Sequence, residues 1–430
     1  MSDNMLASRL LGGFREFFMS IDLGGSKETC GGGSELVWEQ IEPWPEPVNG
    51  AVLLDTKVGL INRFVVMPKW TPETMSLWGV HTFSFKLRNV STYIGVESPE
   101  WRCGKSTLLG LMLELVHRPV PTANISSPAF YRAIEEHQPT LLIDEADTFL
   151  DGNEELRGIL NAGYTKKSAY VLRVAQVPSA DKTGFTTKLV QFSLWCPKFI
   201  GKIGKLPPTL ADRCILVRME RKMEGEPCER FQEVKEEGRE LRRKCLRFVM
   251  DNAQAIASAR PALPAGLNDR AKDIWEPLLV LADLAGGHWP ETARKAAVHL
   301  SMTQDRSPIG ALLLDLMILF IQNKTDRLFS RTIVEHLQYN CERPWAELSK
   351  GKQISEIWLA KQLSRYRVRS RVMRIGPERA NGYYEADFKD VFKRYIPRAE
   401  FEALKAEWAA EKERTETEGG EGTNGDAAPS

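Results

Sequence analysis

Pro99 to Thr107 reads PEWRCGKST, and Leu141 to Glu145 reads LLIDE. Between a strand and a helix, Gly-Lys-Ser makes a phosphate cradle. Backbone N–H groups and the helix N-terminus surround the anion, the Lys105 ammonium meets the terminal oxygens, and the Ser106 hydroxyl ligates Mg2+. Pro99, Cys103, Gly104 and Thr107 complete the loop. The first glycine of G-x-x-x-x-G-K-[ST] is absent: Pro99 stands there, with Gly95 further upstream. Taken alone, the tetrad could be a chance surface turn. Asp144 and Glu145 close an apolar strand about forty residues on, where Asp144 holds Mg2+ and Glu145 polarises an attacking water. Each half supports the other, and together they imply hydrolysis of ATP with Mg2+.

A γ-phosphate in the transition state needs further positive charge, and an arginine from a neighbouring subunit can raise turnover roughly 10³- to 10⁵-fold. Arg213, in Leu206 to Cys214 (LPPTLADRC), is the candidate. An ordinary surface pair with Asp212 is the competing reading. Arg270, in GLNDR, opens a helix and is expected to reach the phosphates in cis, unless it is a solvated helix-start arginine. Asp144 to Asp147 spells DEAD, but the downstream Ser-Ala-Thr and arginine-rich motifs of DEAD-box helicases are missing. Asp147 is therefore read as a cap before Thr148-Phe149-Leu150.

These residues need a scaffold. Between Thr92 and Glu220 short apolar runs alternate with helical stretches, which predicts a parallel sheet flanked by helices. Ala169 to Val177 and Phe185 to Leu194 read as a hairpin inserted before the next strand, Pro197 to Ile203. The expected order is a glycine-rich arm (1–36), a small helical module (37–90), the α/β core (91–222), a helical lid (223–304), a winged helix (305–398) and an acidic tail (399–430). Within the module, Thr71-Pro72 reads as a cap followed by proline at the first helical position. The longest lid helix is expected over Glu229 to Arg260. The winged helix rests on three helices, the third near Ile354 to Arg365, and a two-stranded ribbon of Arg371 to Ile375 and Tyr383 to Glu385.

At 430 residues, 43% hydrophobic and 27% charged, the chain has ordinary soluble composition and length for two or three packed units. Its seven cysteines show no C-x-x-C spacing, which argues against zinc and disulfide frameworks and fits a reduced cytoplasm. No signal-peptide pattern and no apolar run of about 18 residues is found, so a cytoplasmic protein without membrane spans is expected.

The stretches SPEWRCGKSTLL, PTLLIDEADTFL, EELRGILNAGY, KIGKLPPTLADRCI and GLNDRAKDIWEPLLVLADLAGGHWP carry a resemblance. The chain resembles the AAA+ ATPases of phages, prophages and mobile elements that carry a helicase-like domain of unassigned function, often downstream of a primase. The resemblance implies Walker A at Lys105 and Ser106, Walker B at Asp144 and Glu145, an arginine finger at Arg213 and sensor 2 at Arg270. It also implies a homo-oligomer, hexameric in such rings, with ATP between subunits. Sensor 1 is usually Asn, Thr or Ser; this chain offers Lys202. No primase precedes the ATPase here, so priming is expected from a separate chain.

In helicases of the presensor-hairpin group the inserted hairpin grips nucleic acid in the ring's channel. The resemblance puts Lys182 at its tip, with Lys188 or Arg173 assisting, against the alternative of solvated lysines. Residues 351–398 hold twelve Lys or Arg against five Asp or Glu, a net charge of +7. That excess favours DNA, with Lys361 and Arg365 ending the recognition helix, Arg371 following and Arg379 at the wing tip. A solvated basic face or a protein-docking module is the alternative. The leading expectation is a DNA motor; the other is a nucleotide-controlled assembly switch, such as a loader, transposition regulator or anti-phage sensor.

Overall fold

The computed structural model describes residues 36, 38–123, 125–150, 152–178, 185–226, 228–231, 234–304, 308–339, 345 and 354–396. The acidic tail (399–430), Lys182 and all of the expected N-terminal arm but its last residue lie outside them. The chain divides into two compact units, Met1–Leu300 and Ser301–Ser430.

The first unit opens with α1 (Gly50–Phe64) and α2 (Thr71–Ser84). Asn49 caps α1, its carboxamide oxygen accepting from Val52 N at 3.1 Å. At α2 the expected cap shifts by one residue: Trp70 stands before the helix at φ +67°, and Thr71 is already helical. Helix α2 is buried almost all round. Trp78 Nε1 donates to Thr92 O at 2.9 Å and His81 Nε2 accepts from Thr92 N at 3.1 Å, which moors α2 beside the first strand.

Next come β1 (Tyr93–Ser98), α3 (Lys105–Leu115), β2 (Pro119–Thr122), α4 (Ser127–His137), β3 (Thr140–Ile143), α5 (Ala146–Leu150) and α6 (Glu154–Ala162). The hairpin strands β4 (Tyr170–Pro178) and β5 (Phe185–Ser193) precede β6 (Lys198–Ile203), α7 (Pro208–Ala211) and β7 (Cys214–Arg218). Five strands form a parallel sheet in the order β2-β3-β6-β1-β7, while among the described residues β4 and β5 pair only with each other. β1 and β3 are buried throughout, as strands of a covered parallel sheet must be. The protein is therefore mixed α/β around a parallel central sheet.

Helices α8 (Lys235–Asp251), α9 (Ala253–Ser258), α10 (Asp269–Ala285) and α11 (Trp289–Gln304) follow. The single helix expected over 229–260 starts later and breaks at Asn252. Gly238 lets α8 close on α3: a Cβ there would stand 2.7 Å from Glu114 O. Leu241, Phe248, Trp275 and Trp289 share one apolar core with Trp78, Leu108 and Phe199, so the helices of 50–84 and 235–300 cover one face of the sheet together.

The second unit contains α12 (Pro308–Gln322), β8 (Arg327–Phe329), α13 (Ser330–Tyr339), α14 (Glu356–Ser364), β9 (Arg371–Ile375), β10 (Glu378–Tyr384) and α15 (Lys389–Tyr395). The expected two-stranded ribbon is an antiparallel sheet of three, β8-β10-β9. Glu378 pairs with Ile375, leaving Gly376, at φ +59°, and Pro377 as the turn. Leu316, Phe320, Ile333, Leu363, Tyr383 and Phe388 lie in its separate core.

Candidate functional site

At the carboxyl end of the sheet, β1 runs into the turn 99–104 and then into α3. Gly104, at φ +83°, stands before Lys105 in the left-handed region; a side chain there would be strained and 3.3 Å from Met219 Cε. Pro99 and Glu100 are exposed, whereas Cys103 is buried with its thiol donating to Glu100 O at 3.3 Å. The Lys105 ammonium donates to Ser98 Oγ, which donates to Glu100 O at 2.7 Å. Thr107 lies half-buried in the first turn of α3.

One strand over, Asp144 follows β3. Ser106 Oγ lies 3.3 Å from Asp144 Oδ2, while Asp144 Oδ1 accepts from Glu145 N at 3.0 Å. Glu145 is exposed and at φ +51°, an uncommon conformation for a non-glycine residue and one that recurs at functional sites. Gly201 adjoins the Asp144 carboxylate, at a spacing where a Cβ would meet Asp144 Oδ1 in ordinary contact at 3.4 Å. Asp147 departs from its expected role. It lies inside α5, and its carboxylate accepts from Ile203 N at 3.3 Å, tying α5 to the end of β6. Lys202 is buried on β6, in register with Glu97 of β1. It is thus at the sheet end that holds Ser106 and Asp144. A hydroxyl and a carboxylate this close form the hard oxygen set that Mg2+ takes together with phosphate.

Arg213 and Arg270 lie elsewhere. Cys214 pairs with Tyr93, so Arg213 enters β7 at the amino end of the sheet, whereas the loop leaves β1 after Ser98. At ~3.3 Å per residue, the strand separates the two ends by roughly 16 Å. Arg270 belongs to the Arg213 end: its Nε lies 3.1 Å from Asp212 Oδ2, and each guanidinium carbon stands 5.3 Å from the centre of the Tyr164 ring. The expectation of Arg270 beside Lys105 in one chain is corrected accordingly, because its partner Asp212 is fixed ahead of β7. For Arg213, set against the expected surface pair with Asp212, the structure shows Asp212 in contact with Arg270 and Arg213 Nη1 donating to Thr209 O.

Beside Gly163 sits a wholly buried lysine. Lys198 Nζ donates to Tyr93 Oη and Leu194 O at 2.9 Å and to Cys196 O at 3.1 Å. Burial lowers the pKa of Lys198 and raises those of Cys196 and Cys214.

The hairpin has two unlike faces. Phe192 and Arg173 rest on Tyr131 of α4, and Arg173 pairs with Glu155. Tyr170, Leu172, Val174, Phe185 and Leu189 are exposed. Lys188 is exposed on β5 opposite Ala175, and Arg173 is committed to the protein. In the second unit Lys361 is exposed on α14 and Arg365 follows its end. Arg371 pairs with Asp387, and Arg379 stands on β10 opposite Arg374 rather than at the tip, because the turn has only two residues.

Three residues escaped sequence reasoning: Ser98, which holds the Lys105 ammonium; Tyr164; and Arg221, whose Nε lies 2.8 Å from Glu100 Oε1 in the loop. Only Ser98 had a signal, as a hydroxyl at the end of the loop strand.

Residues 218–395 match the family model described as protein of unknown function (DUF3631). The match starts at the last residue of β7, so the loop and the acid pair fall outside it. The chain is similar to an uncharacterized 28.9 kDa protein in xis 5'region of Saccharopolyspora erythraea, 36% identical over 150 residues, which are 34% of this chain and 55% of that protein. It spans about half the length of that curated relative. Among solved structures, the A form apo structure of NrS-1 C terminal region-CTR overlaps 88% of this chain and 90% of its own, at TM-score 0.37 and 11% identity. The apo structure of NrS-1 C terminal region (305-718) overlaps 80% and 77%, at TM-score 0.34 and 13% identity. No helix among the described residues is long and apolar enough to cross a membrane.

Proposed function

We propose that this chain is an AAA+ ATPase of a mobile element that assembles from several copies, hexameric in its working form, and moves on or remodels DNA. The 3.3 Å contact of Ser106 Oγ with Asp144 Oδ2 carries this reading. It joins the loop to the acid pair at the sheet end where open α/β proteins bind ligands. The strand between β1 and β3, and the hairpin ahead of β6, support the AAA+ assignment. The helices of 235–300 would be the lid and residues 308–396 the winged helix. The relative in a xis 5' region supports the mobile-element setting.

ATP is the substrate in this reading. Backbone N–H groups of the loop and the α3 N-terminus bind its phosphates, and Lys105 leaves Ser98 to meet the terminal oxygens. Ser106 and Asp144 would hold Mg2+, which when bound neutralises charge on the β- and γ-phosphates. Glu145 orients and deprotonates the attacking water. Hydrolysis by the full chain, with and without forked DNA, tests this: DNA-stimulated turnover lost in Glu145→Gln with ATP binding retained is expected, and turnover unaffected by Glu145→Gln would refute it.

A second reading, the assembly switch that does not translocate, draws on the hairpin. Its exposed Tyr170, Leu172, Val174, Phe185 and Leu189 suit a protein surface better than a phosphate backbone. If Lys182→Ala with Lys188→Ala leaves DNA-dependent activity intact, the switch is favoured over the motor.

A further inference from the structure

We propose that Tyr164 is a positioning residue that gathers Arg213 and Arg270 into one phosphate-binding site, offered to nucleotide held by a second copy of this chain. The inference rests on the ATPase reading above and moves Arg270 from its own chain's nucleotide to a neighbour's.

Both guanidinium carbons stand 5.3 Å from the centre of the Tyr164 ring. Two cations on one aromatic ring are attracted to it but repel each other. Asp212, 3.1 Å from Arg270, is the one carboxylate within ion-pair distance of either arginine among the described residues, and Asp273 feels the Arg270 charge at longer range, so it is the Arg213 charge that no carboxylate contacts. Its hydrogen bonding is also unspent: Arg213 Nε and Arg270 Nη1 are buried atoms without a partner among the described residues. A cluster serving stability alone would satisfy such donors, since each left unpaired costs free energy. An anion with several acceptor oxygens relieves both the repulsion and the orphaned N–H groups, and a phosphoryl group fits a guanidinium fork.

The cluster's own loop is out of reach at the other end of the sheet, so the phosphate must come from another molecule. The mounting is rigid. Ser91 N donates to Tyr164 O at 2.9 Å, Arg213 N donates to Leu210 O at 2.9 Å, and Asn161 Nδ2 donates at 3.3 Å to the Oγ1 of Thr209, whose carbonyl accepts from Arg213 Nη1. Loop at one end and arginines at the other make a head-to-tail contact, the kind that gives a ring when the rotation between copies closes.

Subunit mixing tests the assignment with the full chain. Lys105→Ala and Arg270→Ala are each expected to be inactive alone while still assembling. Mixed in equal amounts they place an intact loop beside an intact Arg270 at about one interface in four, so turnover should recover toward a quarter of wild type. No recovery, from an Arg270→Ala protein that still binds a fluorescent ATP analogue and co-assembles, would overturn the proposal; Arg270→Gln substitutes if Arg270→Ala does not fold. Tyr164→Ala should lower kcat about tenfold with KM within about twofold, and Tyr164→Phe, which keeps the ring, should restore most of it. A fall in melting temperature with unchanged kcat would make Tyr164 merely structural and defeat the idea. Wild-type protein without any ATP turnover would instead remove the ATPase reading itself.

Discussion

Ser106 Oγ stands 3.3 Å from Asp144 Oδ2, joining the first turn of α3 to the end of β3. A hydroxyl and a carboxylate at that separation can share one hard divalent cation. Turnover should vanish on chelation of Mg2+ and return on its readdition, and Asp144→Asn should raise the Mg2+ needed for half-maximal rate at least about tenfold. A Mg2+ titration of hydrolysis measures both.

Gly104 tests the loop's backbone. At φ +83°, an alanine carries the left-handed penalty of about 1–2 kcal/mol and crowds Met219 Cε at 3.3 Å. Gly104→Ala is expected to weaken nucleotide binding about tenfold or more with the global fold retained. Equilibrium binding of a fluorescent ATP analogue, beside a melting curve, reads the two apart.

Stability should depend on the amino end of the sheet. A Cβ at Gly163 would stand 2.6 Å from Leu194 O and from Tyr93 Oη and 3.0 Å from Lys198 Nζ. Gly163→Ala should therefore destabilise the first unit by about 1–3 kcal/mol, as overpacking does. Lys198→Met should cost at least as much, because Leu194 O and Cys196 O lose a donor in a buried place. Denaturant midpoints give both values.

Acid should unfold the protein from an unusually high pH. Burial, and secondarily the Arg88 charge, holds the His81 pKa at about 3; burial, then Arg118, does the same for His117. Both folded-state values lie below the ordinary ~6.5, so the unfolded chain binds more protons and stability falls as pH drops below ~6.5. At pH 5 each histidine should cost about 2 kcal/mol. Unfolding free energies across pH 7 to 5 should show this slope, and His81→Gln should reduce it.

In the DNA-motor reading, affinity for DNA should follow the basic residues of the second unit. Replacing Lys361, Arg365 and Arg379 together with alanine should weaken binding to all sequences alike and lower the salt slope by about one unit for each phosphate no longer neutralised. Binding titrations at several salt concentrations measure the slope.

Much of this was legible in the residues, for reasons that are local. GKST after an apolar strand and DE after another are stretches in which sequence neighbours do the work, and the parallel sheet follows from alternation. What was hidden is tertiary. Arg270 looked like a helix-start arginine beside its own loop; its partner Asp212 lies 58 positions away in sequence and at the other end of the sheet. Tyr164 carried no motif. β8 has only three residues, too few for a periodicity, and Arg379 moved off the tip because Gly376 at φ +59° allows a turn of two residues. Asp147 read as a cap because its acceptor use by Ile203 N depends on α5 packing against β6.

The central claim is that Lys105, Ser106, Asp144 and Glu145 form a hydrolytic nucleotide site. Its most direct test is steady-state ATP turnover by the assembled full chain with Mg2+, compared with Glu145→Gln under the same conditions. Hydrolysis is expected to rise with DNA and to fall at least about 100-fold in the variant, with ATP binding unchanged. Equal rates in both proteins, or no hydrolysis by wild type with or without DNA, would contradict it.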